Sequence, residues 1–157
     1  MRLDHINLCA SDVPALTRTL TRHFGYTALR EGTVADYPGA PNPGAAFSFL
    51  LGQDGSHIVV TQITAAAEDV SSYPPQFHFG LMQDTVEAVH EKHAELTAAG
   101  HRPGPISSGF EVLGATWTAF YCPLGDGLEI EINHRTASAL LDRPASGFDE
   151  PALFRPI

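Results

Sequence analysis

No run of apolar residues in this chain approaches the roughly 20 that a helix needs to cross a bilayer, which argues against a membrane-spanning protein. The opening residues, MRLDHINLCASD, meet an acidic side chain almost at once and contain no apolar signal core, so a cytoplasmic protein is expected. Basic residues are scarce. There are 9 Lys plus Arg against 18 Asp plus Glu, a net charge of −9, and no basic stripe is interleaved with aromatics. Such a charge balance repels phosphate backbones and argues against nucleic acid as a partner. Cysteine is scarcer still: Cys9 and Cys122 have no Cys-x-x-Cys spacing and no secretory context. Both are expected to be buried free thiols that pack as small hydrophobes.

What the chain does have is enough apolar material for a core, 43% of its 157 residues, and an internal repeat. The segment His5-Ile-Asn-Leu-Cys leads through Asp12 into an amphipathic stretch, Val13 to Phe24, that ends at Gly25. The segment His78-Phe-Gly-Leu-Met leads through Asp84 into another, Thr85 to Ala99, that ends at Gly100. Each reads as a short strand of period 2, an Asp able to cap a helix, and a helix closed by glycine. Asp54-Gly55 then precedes Ile58-Val59-Val60, and Asp126-Gly127 precedes Ile130-Glu131-Ile132. The two histidines lie 73 residues apart and the two Asp-Gly pairs 72 apart, so the landmarks repeat in order with an almost constant offset.

The expectation is an α+β fold of two tandem βαβββ modules, residues 1–63 and 75–134, within one domain over 1–134. In module one, Tyr26 to Arg30, Ala46 to Leu51 and His57 to Ile63 read as strands. The loop Gly32 to Ala45, with Pro38, Pro41 and Pro43, is too broken for regular structure. In module two, Arg102 to Val112, Trp117 to Cys122 and Leu128 to Asn133 read as strands. Ala65 to Pro75 is the linker. Residues 135–157, with Pro144, Pro151 and Pro156, form a tail expected to wrap another surface or a partner subunit.

Paired modules with His near the first strand of each, closed by Asp-Gly-x-x-Ile-Glu, resemble the glyoxalase/bleomycin resistance/extradiol dioxygenase family, the vicinal oxygen chelate superfamily. The sharpest piece runs from Phe120 through Tyr121 and Asp126-Gly127 to Ile130-Glu131, and is similar to the family's FYxxDPDGxxIE ending. Leu124 and Gly125 stand where the family has Asp-Pro. The resemblance implies an incomplete barrel around one divalent metal, which the substrate chelates through neighbouring oxygens. It also implies a homodimer. Carried over by motif, the metal positions fall on His5, Val59, His78 and Glu131; valine cannot bind, which leaves two imidazoles and a carboxylate. Such a triad keeps sites open for substrate and suits Fe, Mn, Zn or Ni.

The missing fourth donor separates this chain from glyoxalase I and methylmalonyl-CoA epimerase, which use four. Extradiol dioxygenases and fosfomycin-modifying transferases use three. Tyr121, ten residues before Glu131, stands where the resemblance implies a hydrogen bond to a phenolate oxygen. Residues 111–118 lack the histidine that catechol-cleaving members carry there, and module two lacks a basic cluster for a phosphonate.

Other residues keep alternative readings. Glu129 shares a strand face with Glu131 and is its rival, while an inward carboxylate in a closing strand is costly to bury without a cation. His57 shares a face with Val59 and could replace the missing donor, displaced along the strand by about 6–7 Å. Asn7 shares a face with His5. Gln62 should point the other way and be structural, and His90 and His93 should lie on the polar side of the second helix. Trp117, Phe47, Phe49, Phe77, Phe79 and Phe110 are core or the lining of a substrate cup. The functional expectation is a metal-dependent dioxygenase, lyase or isomerase acting on a small oxygen-bearing substrate. The rival is a metal-free protein that sequesters a cationic small molecule, as bleomycin-resistance members do.

Overall fold

The computed structural model describes residues 4–33, 44–62 and 73–142. Its elements are β1 (His5–Ala10), α1 (Val13–His23), β2 (Thr27–Thr33), β3 (Ala46–Leu51), β4 (His57–Gln62), β5 (His78–Met82), α2 (Val86–Ala98), β6 (Ser107–Val112), β7 (Ala115–Gly125) and β8 (Leu128–Arg135). The βαβββ order occurs twice. The two four-stranded sheets run β1-β4-β3-β2 and β5-β8-β7-β6, the same order in each repeat. By contact the chain divides differently, into Met1–Phe79 with Cys122–Ile130, and Gly80–Tyr121 with Glu131–Ile157. The proline-rich loop over 34–43, most of the linker and the tail beyond Asp142 lie outside the described residues. No helix among the described residues is long and apolar enough to cross a membrane.

In the first unit α1 begins where Asp12 accepts a hydrogen bond from the Ala15 amide at 2.9 Å, with Pro14 in the opening turn. It stops at Gly25, whose φ of +72° is free of strain only for glycine. Val13, Leu16 and Leu20 recur at helical spacing and are buried. α1 packs on the sheet, whose buried side chains include Leu8, Ala10, Leu50, Ile58 and Val60. The hydroxyls of Thr17 and Ser48 are also buried and have no hydrogen-bond partner among the described residues.

Period 2 then sends the alternate residues to the opposite face. β1 pairs in parallel with β4, matching His5 with His57, Asn7 with Val59 and Cys9 with Thr61. These six residues form the face that α1 leaves uncovered. Cys9 is exposed there, contrary to the expectation of a buried thiol; only Cys122 is buried. The alternation was readable, but not which face the helix covers.

β1 lies at the edge of its sheet. Tyr73 closes part of that edge, its hydroxyl donating to the Cys9 carbonyl at 3.0 Å and accepting from the Cys9 amide. Its own amide donates to the Asp126 carbonyl at 2.8 Å. The Asp126 carboxylate accepts from the Ser11 amide at 2.7 Å and the Ser11 hydroxyl at 3.1 Å. Asp126 and Gly127 both have positive φ, +52° and +78°, as the two-residue turn between β7 and β8 requires. The Asp-Gly pair is itself the turn, so Leu124 and Gly125 belong to β7 and their departure from Asp-Pro leaves the hairpin intact.

In the second unit the cap of α2 is Thr85, accepting from the Ala88 amide at 3.1 Å, one residue after the expected Asp84. The helix closes with the Gly100 amide on the Thr97 carbonyl and the His101 amide on the Leu96 carbonyl, a Schellman arrangement. β6 begins at Ser107, later than the expected Arg102. His93 shares a helical face with buried Val89 and Leu96, not the polar face expected of it. Its ring stands edge-on to Phe120 at 4.9 Å and its Nε2 reaches the Gly104 carbonyl at 3.0 Å, which satisfies a polar tip inside a packed face.

Replacing Asp126 with Ala should lower unfolding free energy by about 1–3 kcal/mol in urea denaturation, since it strands two donors on Ser11. Asp54→Ala, at the equivalent turn whose carboxylate accepts from Ser56 two residues on, should cost less. Equal losses would show that the tie to β1 carries no special weight.

Candidate metal and substrate site

Both histidines singled out by the repeat lie at strand starts, and each ring has its Nδ1 engaged. The His5 Nδ1 lies 3.0 Å from the Asp4 carboxylate, with the His5 side chain 47% exposed. The His78 Nδ1 lies 2.7 Å from the Gln76 carbonyl. That carbonyl belongs to a non-glycine residue in the left-handed region, φ +70°, a conformation that costs about 1 kcal/mol or more and persists only where surroundings impose it. Because a carboxylate and a carbonyl can only accept, each Nδ1 donates in these contacts. A neutral imidazole held by its Nδ1–H carries its lone pair on Nε2, the arrangement that metal-binding imidazoles adopt.

Glu131 is half-buried on β8, where Leu128, Ile130 and Ile132 are buried and Glu129 alternates with them on the same side as Glu131. Gly80 follows His78 by two residues, as Asn7 follows His5. A Cβ at position 80 would come within 3.2 Å of the Asn133 amide nitrogen and 3.8 Å of a Glu131 carboxylate oxygen. The glycine therefore preserves space beside an acidic and an amide side chain. Nothing in the sequence pattern singled out Asn133, which is buried.

Tyr121, on β7, is 40% exposed, and its carbonyl accepts from the Gly104 amide at 2.7 Å. Phe110 and Trp117 stack at 6.5 Å with Phe110 partly exposed, while Phe77 stacks on Tyr73 at 4.5 Å. Val59 is level with Asn7, and His57 is level with His5. Gln62 is structural as expected, accepting from the Ala46 amide at 3.0 Å.

His5 and His78 belong to the first unit, Glu131 and Tyr121 to the second. Among the described residues no group of three or more His, Cys, Asp or Glu side chains is gathered closely enough to hold a metal ion.

The family model for the glyoxalase/bleomycin resistance protein/dioxygenase superfamily matches residues 2–132. The chain belongs to that superfamily. A possible glyoxalase from Bacillus cereus superposes with a TM-score of 0.61 at 25% identity, over 84% of this chain and 97% of that one. A glyoxylase/bleomycin resistance protein/dioxygenase domain from Frankia gives 0.63 at 17% identity, over 87% and 98%. A fosfomycin resistance protein variant from Listeria monocytogenes, complexed with Mn(II) and 1S,2S-dihydroxypropylphosphonic acid, gives 0.61 at 18%, over 83% and 90%. No functionally curated protein matches the chain by sequence. At such identities superfamily membership supplies the fold, and the site rests on the residues themselves.

The two thiols of this superfamily member should differ sharply in reactivity. Burial, reinforced by the nearby Glu129 carboxylate, pushes the Cys122 thiol up, whereas Cys9 is exposed. Ellman titration of native protein should modify one thiol per chain quickly, and Cys9→Ser should abolish that phase. Two fast thiols would contradict the packing around β7.

Proposed function

We propose that the protein is a divalent-metal-dependent enzyme acting on a small substrate that grips the ion through neighbouring oxygens. His5, His78 and Glu131 are its donors, residues 1–134 its functional unit, and a homodimer its working form. The observation that carries this reading is the pair of engaged Nδ1 atoms, on the Asp4 carboxylate and the Gln76 carbonyl. Two histidines at equivalent repeat positions, each held to present Nε2, are hard to explain by packing alone.

When bound, the ion supplies Lewis acidity toward substrate oxygens at coordination sites the protein leaves open. Asp4 and Gln76 hold the imidazoles in place, and Glu131 contributes a negative oxygen that balances the cation's charge. Gly80 keeps the space beside Glu131 and Asn133 clear. The Tyr121 phenol donates a hydrogen bond to a substrate oxygen. Manganese is the first ion to test, because the Listeria protein of the same fold holds it. Dioxygenation, isomerisation and addition or elimination all remain compatible with this donor set.

Mass spectrometry of protein purified without a histidine tag should find about one divalent ion per chain. A His5→Ala/His78→Ala variant should lose it. If neither protein holds an ion after incubation with iron, manganese, nickel and zinc, the metal-free sequestering reading becomes the better account. For Tyr121→Phe, ion binding should stay unchanged while kcat/KM on the substrate falls by about tenfold or more. Unchanged turnover would remove Tyr121 from the site.

A further inference from the structure

We infer that the first unit carries a separate binding site, for a small zwitterion with an apolar body, between the start of α1 and the adjoining ends of β2 and β3. A cavity of about 440 Å³ opens there, within the range of about 300–1,000 Å³ usual for small-molecule sites. Val13 and Pro14 line it from the first turn of α1, Arg18 from the next turn, and Glu31 and Gly32 from the end of β2. Val13 is buried and Pro14 has no amide hydrogen to offer, so the helix gives a guest an apolar wall. The cavity lies across the sheet from His5, Asn7 and Cys9. Glu31 is the Cα partner of Ser48, and Ser48 is buried with Leu50 on the side that α1 covers. Partners in a ladder project from one face, so Glu31 shares that side.

Arg18 and Glu31 define the guest. Both are exposed, and among the described residues no ion pair or hydrogen bond engages either side chain. Opposite charges that share a cavity without meeting leave room for a guest that carries both complements. A carboxylate suits the planar fork of the Arg18 guanidinium, and an ammonium suits Glu31. Arg30 does not neutralise Glu31: its guanidinium lies over the Phe47 ring, 5.8 Å from the centroid, and period 2 sends it to the other face. A pure anion meets Glu31 and the net charge of −9, and a pure cation meets Arg18, whereas a zwitterion escapes both repulsions. The two buried hydroxyls without a partner adjoin these groups, Thr17 one residue before Arg18 and Ser48 across the ladder from Glu31. Buried polar groups are normally satisfied, so the packing beside the cavity is unfinished in polar terms. An α-amino acid with a large apolar side chain has the required chemistry.

The test titrates the full chain, isotope-labelled for amide NMR, with L-phenylalanine, and in parallel with phenylacetate and phenethylamine, which each keep one of its charges. L-phenylalanine should shift the amide signals of Arg18, Glu31 and Gly32 saturably, and each single-charge probe should bind about fivefold or more weakly. Arg18→Gln and Glu31→Gln should each weaken L-phenylalanine by about fivefold or more while leaving metal content at the wild-type level. Arg18→Lys should keep more affinity than Arg18→Gln, which separates a lost charge from lost bulk. Equal binding of the three probes, wild-type affinity in both glutamine variants, or shifts confined to the His5 face would overturn the inference. So would the absence of any saturable shift in the wild-type protein, and none of these outcomes bears on the metal-dependent reading.

Discussion

The open edge of β1 is the constraint on which the first unit depends. An edge strand presents unpaired amides and carbonyls, and buried or shielded backbone groups need partners. Here the partners are a tyrosine hydroxyl and a turn carboxylate: Tyr73 takes both backbone groups of Cys9, and Asp126 takes the amide and hydroxyl of Ser11. The Asp-Gly turn that ends β7 is thereby held on the strand that starts the chain. This anchoring leaves β1 with one face against α1 and the other bearing His5, Asn7 and Cys9.

The proposed chemistry draws on how that face and the start of β5 are furnished. An imidazole on a half-open strand rotates and changes tautomer unless one nitrogen is engaged. Asp4 and Gln76 provide that engagement, the second at the cost of a left-handed backbone. The repeat gives both histidines the same place in a strand, yet the residues two further on differ. Asn7 enters a polar contact with Thr61, whereas Gly80 leaves room near Glu131 and Asn133. The two halves differ at these positions while sharing the order of strands and helices.

Much of this was legible in the sequence, because it lives in local pattern. The constant offset between repeated landmarks identified two βαβββ modules. Asp12, Gly25 and Gly100 marked helix ends through capping chemistry that acts within one turn. Where local pattern is ambiguous, the reading slipped: Asp84 and Thr85 can both cap, and the side chain that reaches the Ala88 amide is Thr85. His93 counted as polar, but Phe120 and the Gly104 carbonyl, both distant in sequence, make its half-buried position tolerable. The level of His57 beside His5 was invisible for the same reason, since register is a property of two strands and no single segment encodes it.

In the proposed function, imidazole nitrogens of this chain meet a metal ion. X-ray absorption at the edge of the ion bound to the full-length protein reads that shell directly. Imidazole scattering from at least two histidines is expected at about 2.0–2.2 Å, together with carboxylate oxygen. A first shell of oxygen alone, with no imidazole signature, would contradict it.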